Sequence, residues 1–231
     1  MDDQRIKQVV DYIFKEVLGR DNPFSLEQLQ EKFAIDIPKP RKVTCALSRE
    51  DTWTFSSGEE KVASLNAIEK RFTEDEWMRP AKKLSSVKEV LDAWSEINYL
   101  TGEKYINSQE VLESDGIYNS AQVFQSLSIF DSKNIIFGYK LFDCNYMLAS
   151  RDNSSCSLCI RIKESIYCSA SFEVSWSSKV SNSMYIHDCF DVYECLFCSH
   201  LRSKKYCIAN MQFEKEEYFR IKQIIIDWII K

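Results

Sequence analysis

From Tyr105 to Ala209 the chain repeats in units of six residues. An aliphatic residue opens each unit, as at Val111, Ile117, Val123, Ile129 and Ile135, and a small residue stands three places on. The small slot holds Ser108, Ser114, Ser120, Ser126, Ser132, Gly138, Cys144 and Ser150 without a miss. After Asp152 the phase slips by three residues, through Asn153, Ser154 and Ser155. The small slot then resumes at Cys159, Ser165, Ser171, Ser177, Ser183, Cys189, Cys195 and Cys207. A period of six is neither the 3.6 of a helix face nor the 2 of one strand, so the pattern predicts stacked coils. Each unit is read as a short strand and a bend, with aliphatic side chains stacking inside a tube and the small residues at sharp turns. The small residue falls three places after the aliphatic one, not four as in left-handed hexapeptide repeats. That offset favours a right-handed parallel β-helix and leaves open how many units make one coil.

A second column follows directly behind the aliphatic one, and it decides what the outside of the tube must do. Neighbouring residues on a strand point to opposite faces, so Tyr118, Phe124, Phe130 and Phe142 are expected outside, as one aromatic stripe. An exposed stripe of that size is rare in a monomer. Cover from the chain's own N-terminal half is the first expectation; a second subunit or a partner protein is the alternative. In the second half the same slot turns polar (Lys163, Ser169, Ser175, Ser181, His187), and the apolar residues move to Ile166, Phe172, Met184, Phe190 and Leu196.

The flanks have helical periods. Residues 4–19 carry Ile6, Val9, Val10, Ile13, Phe14, Val17 and Leu18 on one stripe and stop at Gly19. Ser25 with Gln28 has the form of a capping box for a second short helix. Residues 41–62 read as irregular, with Thr52 to Phe55 as a short strand. Thr73-Glu74-Asp75-Glu76 is read as the start of a helical turn. Ser86 to Tyr99 predicts a helix with Val87, Val90, Leu91, Trp94 and Ile97 on one side, expected to cap the first coil. Glu214 to Ile230 predicts a last helix, with Tyr218, Ile221, Ile224, Ile225, Trp228 and Ile229 apolar. The expected architecture is therefore α+β: a helical N-terminal region over 1–102, a β-solenoid over 103–211 and a capping helix over 212–231.

A net charge of −5 with scattered lysines argues against a nucleic-acid partner, since phosphate binding needs a basic footprint. No apolar signal core or membrane-length run is present, which predicts a cytoplasmic protein without a membrane partner. Five glycines, no Gly-rich phosphate loop and no nucleophile elbow leave no recognisable nucleotide or acyl-transfer motif.

The nine cysteines carry the only metal-like spacing. Cys156 and Cys159 form one pair, and Cys195 and Cys198 form another, followed by His200 and Cys207. Eight of the nine also fall on inward slots of the repeat, where a thiol packs as a small apolar residue, so zinc is an alternative to a cofactor-free core. His187 beside Asp188 and Cys189 raises a Cys–His nucleophilic pair, weighed against a surface histidine next to an acid. Glu113, Asp131, Asp143, Glu164, Asp188 and Glu194 precede small slots and form a candidate acidic column.

The phrase Asp188-Cys-Phe-Asp-Val-Tyr-Glu-Cys-Leu-Phe-Cys-Ser-His-Leu-Arg-Ser-Lys-Lys-Tyr-Cys-Ile-Ala-Asn210, with Gln212 and Glu216-Glu217-Tyr218, resembles the end of a group of uncharacterised bacterial Cys-rich solenoid proteins. The likeness covers the C-terminal half; it implies the architecture and brings no activity. The functional expectation is a non-enzymatic scaffold that binds a protein or peptide, or an accessory subunit of a peptide-modifying enzyme, with self-association as a further partner. Tyr118, Phe124, Phe130 and Phe142 are its expected contact surface. A zinc protein and an enzyme working at the solenoid wall are the alternatives.

Overall fold

The computed structural model describes residues 1–73 and 77–231. Its centre is a β-solenoid of about nine coils with helices at both termini. Parallel pairing sets the coil: Ile135 lies beside Met147, Met147 beside Cys159, and Cys195 beside Cys207, a constant step of 12 residues. One coil is thus two of the six-residue units.

The finer period is three. Every third residue from Asn107 to Ala209 has a positive φ, roughly 45° to 66°, including Phe137, Tyr146, Trp176 and Tyr185. Four left-handed corners per coil give the tube four sides. The residue after each corner points inward and the next points outward. Four inward columns result: those beginning at Ser108, Val111, Ser114 and Ile117. Four outward columns lie beside them, those of Gln109, Leu112, Asp115 and Tyr118.

The expected slip after Asp152 does not occur. Pairing continues across it, with Met147 against Cys159 and Arg151 against Lys163. What changes is which inward columns carry bulk. Val123, Ile135 and Met147 give way to Cys159, Ser171 and Ser183, while Ser126, Gly138 and Ser150 give way to Ile162, Val174 and Ile186. Large and small columns exchange, so the cross-section stays filled through one unbroken tube. Gly138 shows how tight the fill is: a Cβ there would stand 2.4 Å from Ile135 Cγ2 and 3.0 Å from Leu141 Cδ1.

The small columns are hydrogen-bonded ladders as well as packing. Ser126 Oγ donates to Phe124 O and accepts from Gly138 N at 2.8 Å, while Ser126 N donates to Ser114 Oγ. Cysteine continues the same ladder: Cys168 N donates to Cys156 Sγ, and Leu201 N to Cys189 Sγ, both at 3.4 Å. The buried thiols are therefore hydrogen-bonding equivalents of serine, beyond the apolar filler that the repeat suggests.

Leu112, Phe124, Ile136, Leu148, Ile160, Phe172, Met184, Leu196 and Ile208 form one outward apolar column, and helices cover it. Helix α1 (Asp3–Leu18) lays Ile6, Val9, Val10, Ile13, Phe14, Val17 and Leu18 on this wall, joined by Leu29 and Phe33 of α2 (Leu26–Phe33). Asp2 caps α1 and Gly19 ends it in the left-handed conformation; Ser25 and Gln28 close the capping box on α2. Residues 41–102 sit beside the start of the tube. They contain the hairpin β1 (Arg41–Thr44) and β2 (Asp51–Thr54), then β3 (Val62–Ser64), α3 (Leu65–Thr73), α4 (Val87–Ser95) and β4 (Leu100–Gly102), with β3 parallel to β4. Strand β1 and the first residue of β3 fall where irregular chain was expected, and α3 follows in a stretch for which no element was expected. Glu74, Asp75 and Glu76 of the expected helical turn lie outside the described residues.

The last coil is closed by Met211–Gln212, antiparallel to Cys207–Ile208, and by Gln212 Nε2 donating to Lys205 O at 2.7 Å. Exposed Arg202, Lys204 and Lys205 guard the rest of that edge against a further strand. Helix α5 (Lys215–Ile229) then runs on the same wall as α1, burying Tyr218, Ile226 and Ile229. Lys222 Nζ reaches Glu194 Oε2 at 2.7 Å and Asn182 O at 3.0 Å.

Candidate functional site

The 12-residue coil redistributes the residues expected to form one contact surface. Phe124 belongs to the helix-covered wall and is 7 % exposed. Tyr118, Phe130 and Phe142 belong to the opposite wall, where Phe130 and Phe142 stand in water, the latter 53 % exposed. The expected single stripe is two, half a coil apart. The chain's own helices cover the first, and no described element packs over the second. Ile166 and Phe190 continue the bare column past Ser154 and Ser178. Tyr118 and Phe130 stack with ring centroids 4.9 Å apart and planes 3° from parallel. Stacked along the tube, they turn their edges outward.

A second apolar surface lies on α4. Ser86 caps this helix, its Oγ accepting from Glu89 N. The expectation that its stripe caps the first coil is not met: only Ala93 is buried, while Val87 is 75 % and Trp94 54 % exposed, with Val90 and Leu91 also in water. What fastens the helix is polar. Arg79 reaches Glu96 and the carbonyl of Ala93, and Lys61 Nζ donates to Ser95 O at 2.8 Å. The apolar face is left in water. A groove of about 580 Å³ runs between α4 and residues 79–84.

A third feature is a polar cleft of about 320 Å³ between the end of α2 and the tube. Arg151 bonds Asp36 and Asp152, each at 2.7 Å, and Arg161 pairs with Glu173 and donates to Phe33 O. These cations are matched by carboxylates, so the cleft presents no surplus positive charge for an anion. At its rim Ser175 Oγ lies 3.0 Å from His187 Nδ1, a closeness that the register imposes, since the two residues pair on adjacent coils. His187 turns outward and Cys189 inward, its Sγ bonded to His187 O and Cys198 O, so the two do not form a nucleophilic pair. Asp188 is engaged by His200 at 2.7 Å and Arg202 at 3.2 Å, and these partners hold its carboxyl below the usual range. The expected acidic column also breaks up: Asp131 and Asp143 share one corner, Glu164 and Asp188 another, and Glu113 and Glu194 stand on two more.

All nine cysteines are buried and free. Cys156, Cys159, Cys195, Cys198 and Cys207 point into the tube, whereas His200 is outside on Asp188. Cys159 and Cys195 share an inward column three coils apart, about 14 Å at ~4.8 Å per coil, so the two Cys pairs do not converge. Among the described residues no group of three or more His, Cys, Asp or Glu side chains is placed to hold a metal ion. Burial pushes the Cys159 thiol well up. Cys144 is raised by its bond to Cys156 and by burial; Cys156, lowered by Cys144 but raised by Cys168 and burial, ends at about 12. Cys45 differs: burial raises it, but hydrogen bonds from Ser48 and neighbouring amides outweigh burial and bring it to about 7. It lies in the small cluster of Cys45, Ala63 and Ala67 beside the tube. A thiol reagent at pH 8 should therefore label Cys45 first, through local opening, and the other eight only on global unfolding. Mass spectrometry of the labelled native protein checks this; two or more labels before unfolding would contradict it.

Comparison with protein-family models, with curated protein sequences and with solved structures finds no match. Among the described residues no helix is long and apolar enough to cross a membrane.

Proposed function

We propose that the protein is a non-enzymatic scaffold that docks a protein or peptide partner on α4. One observation carries this reading. The chain buries the stripes of α1 and α2, yet leaves Val87, Val90, Leu91 and Trp94, at i, i+3, i+4 and i+7, in water on a helix tied by polar contacts at its C-terminal end. A helical anchor of this spacing is the form in which apolar grooves recognise helices. Its aromatic, Trp94, suits the buried core of an interface. The reading extends to an accessory subunit whose partner is a peptide-modifying enzyme.

The test is co-purification from the native cell with wild-type chain and with Leu91→Asp/Trp94→Ser. The proposal expects a stoichiometric partner with the first and at least a tenfold loss with the second, while circular dichroism and melting stay unchanged. A partner retained equally by both chains would end it.

A further inference from the structure

We infer that the bare wall of the tube is a homodimer interface, formed by two chains packed face to face and antiparallel across a two-fold axis at the level of Ser154. The occupant follows from the self-complementarity of the wall. When a two-fold axis runs across a tube face, each column meets its own copy in reverse order. With the axis at Ser154, Phe142 meets Ile166, Phe130 meets the gap at Ser178, and Tyr118 meets Phe190. All of these belong to one outward column, as the pairings of Tyr118 with Phe130, Phe130 with Phe142, Ser154 with Ile166 and Ile166 with Ser178 establish.

The flanking corners are complementary in charge away from the axis; at the axis itself Asp152, bonded to Arg151, meets its own copy. On one side Asp131 comes opposite Lys179, Asn119 opposite Asp191, and Asp143 opposite the exposed Tyr167; on the other, Lys140 comes opposite Glu164. Moving the axis toward the C-terminus by half a coil sets Asp131 against Asp191, and by a whole coil sets Asp143 against Asp191. Moving it the other way by half a coil loses both the Asp131–Lys179 and the Lys140–Glu164 oppositions, although it sets Lys140 against Asp152. Asp131 opposite Lys179 and Lys140 opposite Glu164 occur together only with the axis at Ser154.

The size is adequate. From Tyr118 to Phe190 the face is about 29 Å tall at ~4.8 Å per coil. Three columns over seven coils give about 21 residues a side, within the 20–30 of an ordinary stable interface. The helix-covered wall shows what the chain does with its other outward apolar column, which it does not leave in water. The α4 surface takes no part, so this dimer and a partner on α4 are compatible.

Sedimentation velocity from 1 to 200 μM tests the inference. The wild type should move from monomer to dimer across this range. Phe130→Ser and Phe142→Ser, which place in the column the residue it already accepts at Ser154 and Ser178, should weaken association at least tenfold and leave circular dichroism unchanged. Asp131→Lys should also weaken it, and Asp131→Lys/Lys179→Asp should restore it. Asp131→Cys/Lys179→Cys supplies a geometric readout. Within one chain these positions are four coils, about 19 Å, apart, beyond disulfide reach, so a disulfide between them can form only between copies. A chain that stays monomeric at 200 μM, a dimer that Phe142→Ser leaves intact, or the absence of the cross-link would each overturn the inference.

Discussion

Ile135→Ala should cost about 2–5 kcal/mol of stability, whereas Phe142→Ala, seven residues further along the same strand, should cost little in the monomer. Ile135 is completely buried among Ile129, Val123, Leu141 and Met147, and Gly138 already leaves its side chain no room to shift. Truncation opens a cavity that neighbouring coils cannot close, because their spacing is fixed by the hydrogen bonds of the ladder on either side. The same tightness makes Gly138→Ala destabilising by about 1–3 kcal/mol, since Ile135 and Leu141 would both have to leave their positions. Urea unfolding of the three variants checks the set. An Ile135→Ala midpoint equal to that of Phe142→Ala would mean that the tube is not packed as described.

Raising the pH above about 9 should destabilise the protein through its buried thiols. Cys144, Cys156 and Cys159 carry thiol pKa values raised above the ordinary one, with Cys189 and Cys207, near the end of the tube, raised as well. In Cys195 and Cys198 the shifts oppose each other, Cys195 being raised and Cys198 lowered by their mutual contact. A thiol raised in the folded state binds its proton more tightly there than in the unfolded chain. Its stabilisation is complete below about pH 8.5, the unfolded value, and is lost as pH rises through the folded value. Each such thiol contributes a slope of up to about 1.4 kcal/mol per pH unit in that window. The urea midpoint should therefore be flat from pH 6 to 8 and fall by several kcal/mol equivalents between pH 9 and 10.5. Cys159→Ser, which keeps a hydrogen-bonding group in the ladder, should recover part of the loss. A midpoint unchanged at pH 10.5 would contradict the buried-thiol assignment.

The repeat of Ser108 to Ser150 made the solenoid legible because a small residue at every sixth place has no helical or single-strand explanation. It concealed the coil, since two opposite walls have the same composition at a six-residue offset: Tyr118 and Phe124 occupy equivalent slots on different sides. The exchange of bulk at Asn153 to Cys159 imitates a register slip, because trading large for small between columns three residues apart looks the same as a three-residue insertion. Only the pairing of Met147 with Cys159 tells the two apart. Helices α1, α2 and α5 were readable from their stripes and caps. The stripe of α4 was equally plain, but the helix is tied by Arg79, Lys61 and Glu96, polar partners that no periodicity marks. Helix α3, where no element was expected, carries Leu65, Ile68 and Phe72 at helical spacing, a stripe too short to stand out from its surroundings.

The left-handed corners bear on how this chain can lengthen or shorten over time. A segment of 12 residues gained or lost brings every side chain back to its own wall, and the tube simply becomes one storey taller or shorter. A segment of six turns the remaining coils half a revolution. Side chains suited to lying beneath α1 would then face water, and their opposites would press into the helices. With 16 residues at ~1.5 Å each, α1 measures about 24 Å, or five storeys. The helix is thus a ruler against which any such change in height is felt first.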